Sequence, residues 1–165
     1  MKTLKIVLTG GCLLFCVSLG LAEEIDEELV KHGRYISIIA GCNDCHTSGY
    51  LLSNGNVPEK DWLTGDILGW HGPWGTTYPA NLRLYMNSLT EDQWLQVART
   101  FTPRPPMPWS NVRAMTDDDL SALYHFIRYL GPAGEPAPTF VPPDQEPPPP
   151  YATFPPPPPP MPKNP

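Results

Sequence analysis

The chain has 165 residues, 17 acidic and 11 basic, for a formal net charge of −6 at pH 7. Binding a phosphate backbone needs clustered Lys and Arg, so this balance excludes nucleic acid as a partner. Of four cysteines and 24 prolines, two cysteines fall within the first 22 residues and 17 prolines beyond residue 131.

Residues 1–22 read as a secretory signal peptide. Lys2 and Lys5 make a basic start, residues 6–17 form a short apolar stretch broken by Gly10 and Gly11, and Gly20 and Ala22 are the small residues of a cleavage site. The apolar stretch falls short of the ~20 residues of a membrane span; an uncleaved anchor is the alternative. Lipid attachment at Cys12 or Cys16 fits less well, because Phe15 is bulky before Cys16 and little apolar sequence precedes Cys12. Losing Lys2 and Lys5 with the leader raises the acidic excess from six to eight.

Residues 23–131 have a mixed composition and suffice for one core. A first helix is expected over 24–40, where Ile25, Leu29, Gly33, Ile36 and Ala40 recur three or four apart on one face. Gly33 costs about 1 kcal/mol relative to alanine in a helix interior. Close approach of a second helix would offset that cost.

This helix leads into Cys42-Asn43-Asp44-Cys45-His46, a C-x-x-C-H pattern, which signals covalent attachment of a c-type haem. Two thiols three positions apart can each add to a vinyl group of one porphyrin. The adjacent histidine then offers a ring nitrogen to the iron. Other readings of the pair are weaker. A structural zinc site needs about four N/S ligands, and without the leader no further thiols remain. A redox dithiol expects a βαβ context, and a disulfide across two intervening residues would be strained.

A second helix is expected over 91–101, opened by Thr90 and Gln93 at capping-box spacing and carrying Trp94, Val97, Ala98 and Phe101 on one face. A third is expected over 117–130. Thr116 and Asp119 fit its cap, three aspartates favour the positive end of its dipole, and Gly131-Pro132 stops it. Leu120, Leu123, Tyr124, Ile127 and Leu130 form its apolar face. Strand signals are poor, so the domain reads as all-α. Residues 132–165 cannot build helix interiors or sheet ladders. They read as a disordered, extended polyproline II tail, a tether or docking arm apart from the domain, with Phe140, Tyr151 and Phe154 as contact points.

A helix running into C-x-x-C-H, a loop-rich middle, a methionine loop and a terminal helix together resemble a class I cytochrome c. The chain is also similar to the single haem domains in cytochrome subunits of periplasmic dehydrogenases. The matching stretches are Gly33-Arg34-Tyr35 before Ala40-Gly41-Cys42, then Gly75-Thr76-Thr77-Tyr78-Pro79-Ala80-Asn81-Leu82, Pro105-Pro106-Met107-Pro108-Trp109, and Met115-Thr116-Asp117-Asp118-Asp119-Leu120. The chain carries one haem motif where those subunits carry three. The resemblance implies a crossing of the first and last helices at a glycine, with Gly33 meeting Tyr124 or Ile127. It also implies a proline carbonyl, that of Pro58, accepting from the ring N–H of His46.

His46 supplies one iron ligand in this reading, and Met107 the other. Met107 sits between Pro106 and Pro108, in a stiffened loop directly before the last helix, where the resembling family carries its methionine. Met86 and Met115 have packing roles instead, and Met161 lies in the tail. His71 is the rival ligand and would give bis-histidine iron. His32 and His125 read as surface residues. Tyr78 and Asn81 could bond a haem propionate and Arg83 could pair with one; Trp74 and Trp109 could wall the pocket.

The expected protein is therefore an exported, periplasmic carrier of one electron, with one covalent haem c and no open coordination position. Its expected partners are redox proteins with a basic face: a dehydrogenase, another cytochrome or a terminal oxidase. The alternatives are a dedicated subunit of a dehydrogenase complex, a haem enzyme with an open distal site, and an interaction protein acting through its tail.

Overall fold

The computed structural model describes residues 26–154. The expected signal peptide lies outside the described residues, as does the end of the tail. Helix α1 spans Glu27–Ile39 and begins one residue after Asp26, whose carboxylate accepts from the backbone N–H groups of Glu28 and Leu29, both at 3.1 Å. That cap satisfies two of the helix's unpaired donors. It explains a start later than the periodicity alone suggests. Gly41, at φ +70°, turns the chain into the five-residue helix α2, Cys42–His46.

A loop follows, with a 3₁₀ turn at Glu59–Asp61. Strands β1 (Gly69–Gly72) and β2 (Gly75–Thr77) form an antiparallel hairpin. Then come α3 (Leu82–Asn87), α4 (Glu91–Thr100), α5 (Trp109–Ala114) and α6 (Asp117–Leu130). Thr90 with Gln93, and Thr116 with Asp119, form reciprocal capping boxes at the starts of α4 and α6. Strand β3 (Tyr151–Thr153) pairs parallel to β1, giving the sheet order β2-β1-β3.

The core lies among the helices: Ile36, Met86, Trp94, Leu120, Leu123, Phe126 and Ile127, with Trp62 and Leu63 from the loop. Helix α1 packs chiefly on α6. The glycine sits at their crossing as expected, but against different residues. A Cβ on Gly33 would run into the backbone carbonyl of Ala122 and stand 2.6 Å from the Cβ of Phe126. Tyr124 instead sends its hydroxyl to the carbonyl of Leu89 at 2.9 Å. The contact ridge is therefore the i, i+4 pair Ala122–Phe126.

Two features depart from the sequence reading. The all-α expectation omits the three-stranded sheet. Its strands are three or four residues long, and Gly69, Gly72 and Gly75 leave no apolar alternation to read. The expectation of a detached, disordered tail is corrected for residues 132–154. Val141 exchanges two backbone bonds with Thr76, at 2.8 and 3.0 Å, and β3 joins the sheet. Proline forbids a ladder donor only at its own position. The non-proline residues between the proline runs supply the donors, and Pro150 still accepts from the Gly69 N–H through its carbonyl.

Candidate functional site

The C-x-x-C-H helix is pinned from behind by Thr47. This buried hydroxyl donates to Asn43 Oδ1 at 2.7 Å and accepts from the backbone N–H of Leu63 at 2.8 Å. One residue thus fastens both the helix and the loop that follows it. Gly65, at φ +82°, donates its N–H to the carbonyl of His46 at 2.8 Å. A side chain at Gly65 would come within 2.9 Å of the Pro79 carbonyl and the Asn81 N–H. The absence of one lets residues 79–81 press against the loop.

That approach has a chemical result. The carbonyl of Ala80 lies 2.7 Å from His46 Nδ1. A carbonyl only accepts, so Nδ1 carries the hydrogen and Nε2 keeps a free lone pair. His46 is 9% exposed. Burial lowers its pKa, opposed by the Ala80 bond, which favours the cation. A buried neutral imidazole with one bare nitrogen is in the form that can bind a metal. The expected partner, the carbonyl of Pro58, is instead taken by the backbone N–H of Asp61 in the 3₁₀ turn, at 2.8 Å. The bond forms from a different loop because the Gly65 contact brings residues 79–81 closer.

Cys42 and Cys45 are free thiols. Burial, with smaller contributions from neighbouring carboxylates, pushes the Cys42 pKa up to about 11 and raises that of Cys45 as well. Both are therefore neutral thiols facing an apolar space. That space is a cavity of about 690 Å³ bordered by Cys42, Cys45, His46 and Met107 together. Residues far apart in the chain thus meet at one site. Met86 and Met115 border it too, Met86 as a core residue only 1% exposed.

The cavity suits a large, mostly apolar group with a polar edge. Its walls are largely aromatic and aliphatic, including Trp70, Trp94, Phe101 and Leu123. Trp70 and Tyr78 both line it, and their Nε1 and Oη atoms are buried without a hydrogen-bond partner in the protein. Two free thiols, the unpartnered His46 nitrogen and the Met107 sulfur on one largely apolar cavity fit a haem. Among the described residues, no group of three or more His, Cys, Asp or Glu converges as a metal site.

Several other expected site residues have structural roles. Asn81 caps α3 through its carbonyl oxygen, at 3.1 Å from Leu84 N, and donates its amide to the carbonyls of Ala133 and Glu135. Arg83 is buried and spends its guanidinium on the carbonyls of Lys60, Leu130 and Gly131. Neither is free for a propionate. His71 lies in β1, paired through Nδ1 with Thr76 Oγ1 at 2.8 Å and stacked edge-on against Tyr151, outside the cavity lining. Trp74 packs on Phe154, and Trp109 lies under the Arg113 guanidinium; neither borders the cavity. His32 and His125 pair with Asp119 and Glu91, each at 3.0 Å.

Sequence reasoning missed Trp70, Phe101, Pro138, Phe140 and Phe154 on the cavity wall. The last three belong to the segment expected to stand apart. Aromatic residues interrupting proline runs were the signal available, since a free spacer has no use for them.

No protein-family model matches the chain, and no solved structure matches it. One curated relative is the cytochrome c subunit of a quinone-type alcohol dehydrogenase from Gluconobacter oxydans (strain 621H), 27% identical over 128 residues. The match covers 70% of this chain and 25% of the relative, so the chain spans about a quarter of that protein's length. The similarity supports a cytochrome c-like protein, with haem c as the implied group and a part in electron transfer as the general role. No helix among the described residues is long and apolar enough to cross a membrane.

Proposed function

We propose that this protein is an exported, periplasmic single-haem cytochrome of class I type that carries one electron between redox proteins. Cys42 and Cys45 would hold the haem through thioether bonds, and His46 Nε2 and the Met107 thioether would be the iron ligands. A haem so bound supplies reversible one-electron exchange between ferrous and ferric iron. The observation that carries this reading is the set His46 Nδ1–Ala80 O, bare Nε2, two neutral thiols and Met107 on one cavity.

The chain's own residues do three things in this reading. The Ala80 carbonyl fixes the tautomer and orientation of His46. The aromatic wall excludes water, which favours the less charged ferrous state and raises the potential. Met107, held between two prolines, would offer the iron a soft sulfur ligand, which suits a carrier rather than an enzyme. The acidic surface favours partners with a basic docking face.

The test is covalent colour and ligation. Acid–acetone extraction of the purified protein is expected to leave the haem on the polypeptide; complete extraction into the solvent would refute the assignment of Cys42 and Cys45. The oxidised protein is expected to show the weak near-infrared sulfur-to-iron band, lost in Met107→Ala and kept in Met86→Leu and Met115→Leu. A second reading, a dedicated subunit of a dehydrogenase complex, is favoured by the similarity to an alcohol dehydrogenase subunit. Stable co-purification with one dehydrogenase would select it over a free carrier.

A further inference from the structure

The proline-rich segment 132–154 is fastened to the domain along its length. Asn81 Nδ2 donates to the carbonyls of Ala133 and Glu135 at 2.8 and 3.1 Å. Val141 exchanges backbone bonds with Thr76, Gly69 N–H donates to the carbonyl of Pro150 at 3.0 Å, and Phe154 N–H donates to the carbonyl of His71 at 2.7 Å. The domain is shaped to receive it. A Cβ on Gly75 would meet the Val141 carbonyl and lie 2.9 Å from the Phe140 ring, and one on Gly69 would lie 3.2 Å from the Cβ of Tyr151. Phe154 lies against both Trp70 and Trp74, with ring centres 5.7 and 5.5 Å apart.

The same segment reaches the methionine loop by two routes. Arg104, three residues before Met107, places its guanidinium 3.8 Å from the centre of the Phe140 ring. Thr77, beside the Thr76 that bonds Val141, donates its hydroxyl to the carbonyl of Pro105 at 2.6 Å. Pro138, Phe140 and Phe154 border the cavity that Met107 borders.

We infer that residues 132–154 are a strap with a function at the site: they form the outer wall of the cofactor cavity and brace the loop that presents Met107. This rests on the haem reading given above. Phe140 is the central positioning residue, because it joins the wall to Arg104 and stands on Gly75. With Phe140 removed, water reaches the cavity and the loop gains freedom. Met107 should then be displaced more readily by an external ligand, and the potential should fall. The helical half of the site, His46 with Ala80, should be unaffected.

The experiment compares wild-type holoprotein with Phe140→Ala, Phe140→Tyr and Phe154→Ala, using imidazole as the competing ligand. Displacement of the methionine is read from loss of the near-infrared band. Phe140→Ala is expected to bind imidazole more tightly by roughly tenfold, the scale of a lost aromatic and cation–π contact, and to have a lower potential. Phe154→Ala should move in the same direction, and Phe140→Tyr should stay near wild type. Unchanged imidazole affinity and potential in Phe140→Ala and Phe154→Ala would overturn the strap while leaving the haem reading intact. A wild-type protein without covalent haem would overturn the haem reading first. Should Phe140→Ala yield no holoprotein, amide exchange in the wild-type holoprotein decides: protection at Val141 and Phe154 supports the strap, and exchange at free-chain rates rejects it.

Discussion

Residues 42–47 and residues 138–154 border or support the same cavity, and they are held there by different physics. The first segment is short, follows directly on α1, and is pinned by bonds that Thr47 and His46 make to two nearby loops, with Thr47 also bonding Asn43. The second has no helix and few side-chain bonds. Its position depends on backbone pairing with β1 and β2 and on aromatic contacts with Trp70 and Trp74. One wall is built into the core and should unfold only with it. The other lies on the core and can open locally. On the proposed haem reading, a site with one wall of each kind would keep its cofactor while Met107 responds to what happens at the surface.

The strongest way to break this comparison is at the helix crossing behind the first wall. Gly33→Ala introduces a Cβ where the Ala122 carbonyl already stands. Loss of about 3 kcal/mol is expected from overpacking between rigid backbones, with release of both walls together in urea unfolding. A fully stable variant would mean that α1 and α6 can separate without cost.

Thr47→Val acts closer to the site and is nearly isosteric. It strands the Leu63 N–H and Asn43 Oδ1 in the interior. About 2 kcal/mol of destabilisation is expected from these unsatisfied groups, again by global unfolding. Equal stability for Thr47→Val and wild type would remove this clamp from the account.

The outer wall should respond differently. Val141→Pro deletes the N–H that bonds the Thr76 carbonyl at 3.0 Å. A loss of about 1 kcal/mol is expected, and it should show as faster amide exchange at Thr76 and Phe154 with a nearly unchanged urea midpoint. A large fall in the midpoint would place the strap in the same cooperative unit as the core.

The smallest expected effect is electrostatic. Bonds from the Ser121 hydroxyl and then from His125 hold the Glu91 pKa below its ordinary 4.5, and they tie α4 to α6. The folded state therefore binds the Glu91 proton less tightly than the unfolded chain. Its contribution is present above pH 4.5 and is lost as pH falls through the lowered value. Ser121→Ala should lower stability slightly at neutral pH, where the contribution is fully present, and shallow the acid side, so that the two profiles converge at low pH. Thermal unfolding midpoints measured across that range test the slope; parallel profiles for the two proteins would rule the contact out as a source of acid sensitivity.

Chain order and local chemistry were enough to locate the three longer helices, but not α3 and α5, which are six residues each. The observed helices Glu27–Ile39, Glu91–Thr100 and Asp117–Leu130 differ from expectation by a few residues at most, because caps and apolar periodicity are written within one turn of the residues they govern. The C-x-x-C-H motif was legible as a local pattern, whereas the short helix it forms was not expected. The glycine crossing was legible as a need for close approach, but the choice of Ala122 and Phe126 depended on how α6 rotates against α1.

The rest was decided only by tertiary structure. The acceptor for His46 is Ala80, 34 residues away, and nothing near either residue indicates the pairing. It exists because a glycine at position 65 lets a third loop approach. Asn81 and Arg83 looked like site residues by type, yet the backbone carbonyls left exposed after α6 claimed them first. The strap is the clearest case. Proline content determined that residues 132–154 would be extended, since it restricts φ and removes donors within the segment itself. Whether an extended segment stands in water or lies on a domain depends on unpaired strand edges and aromatic surface elsewhere, and these come into being only when β1, β2, Trp70 and Trp74 have been assembled by the fold.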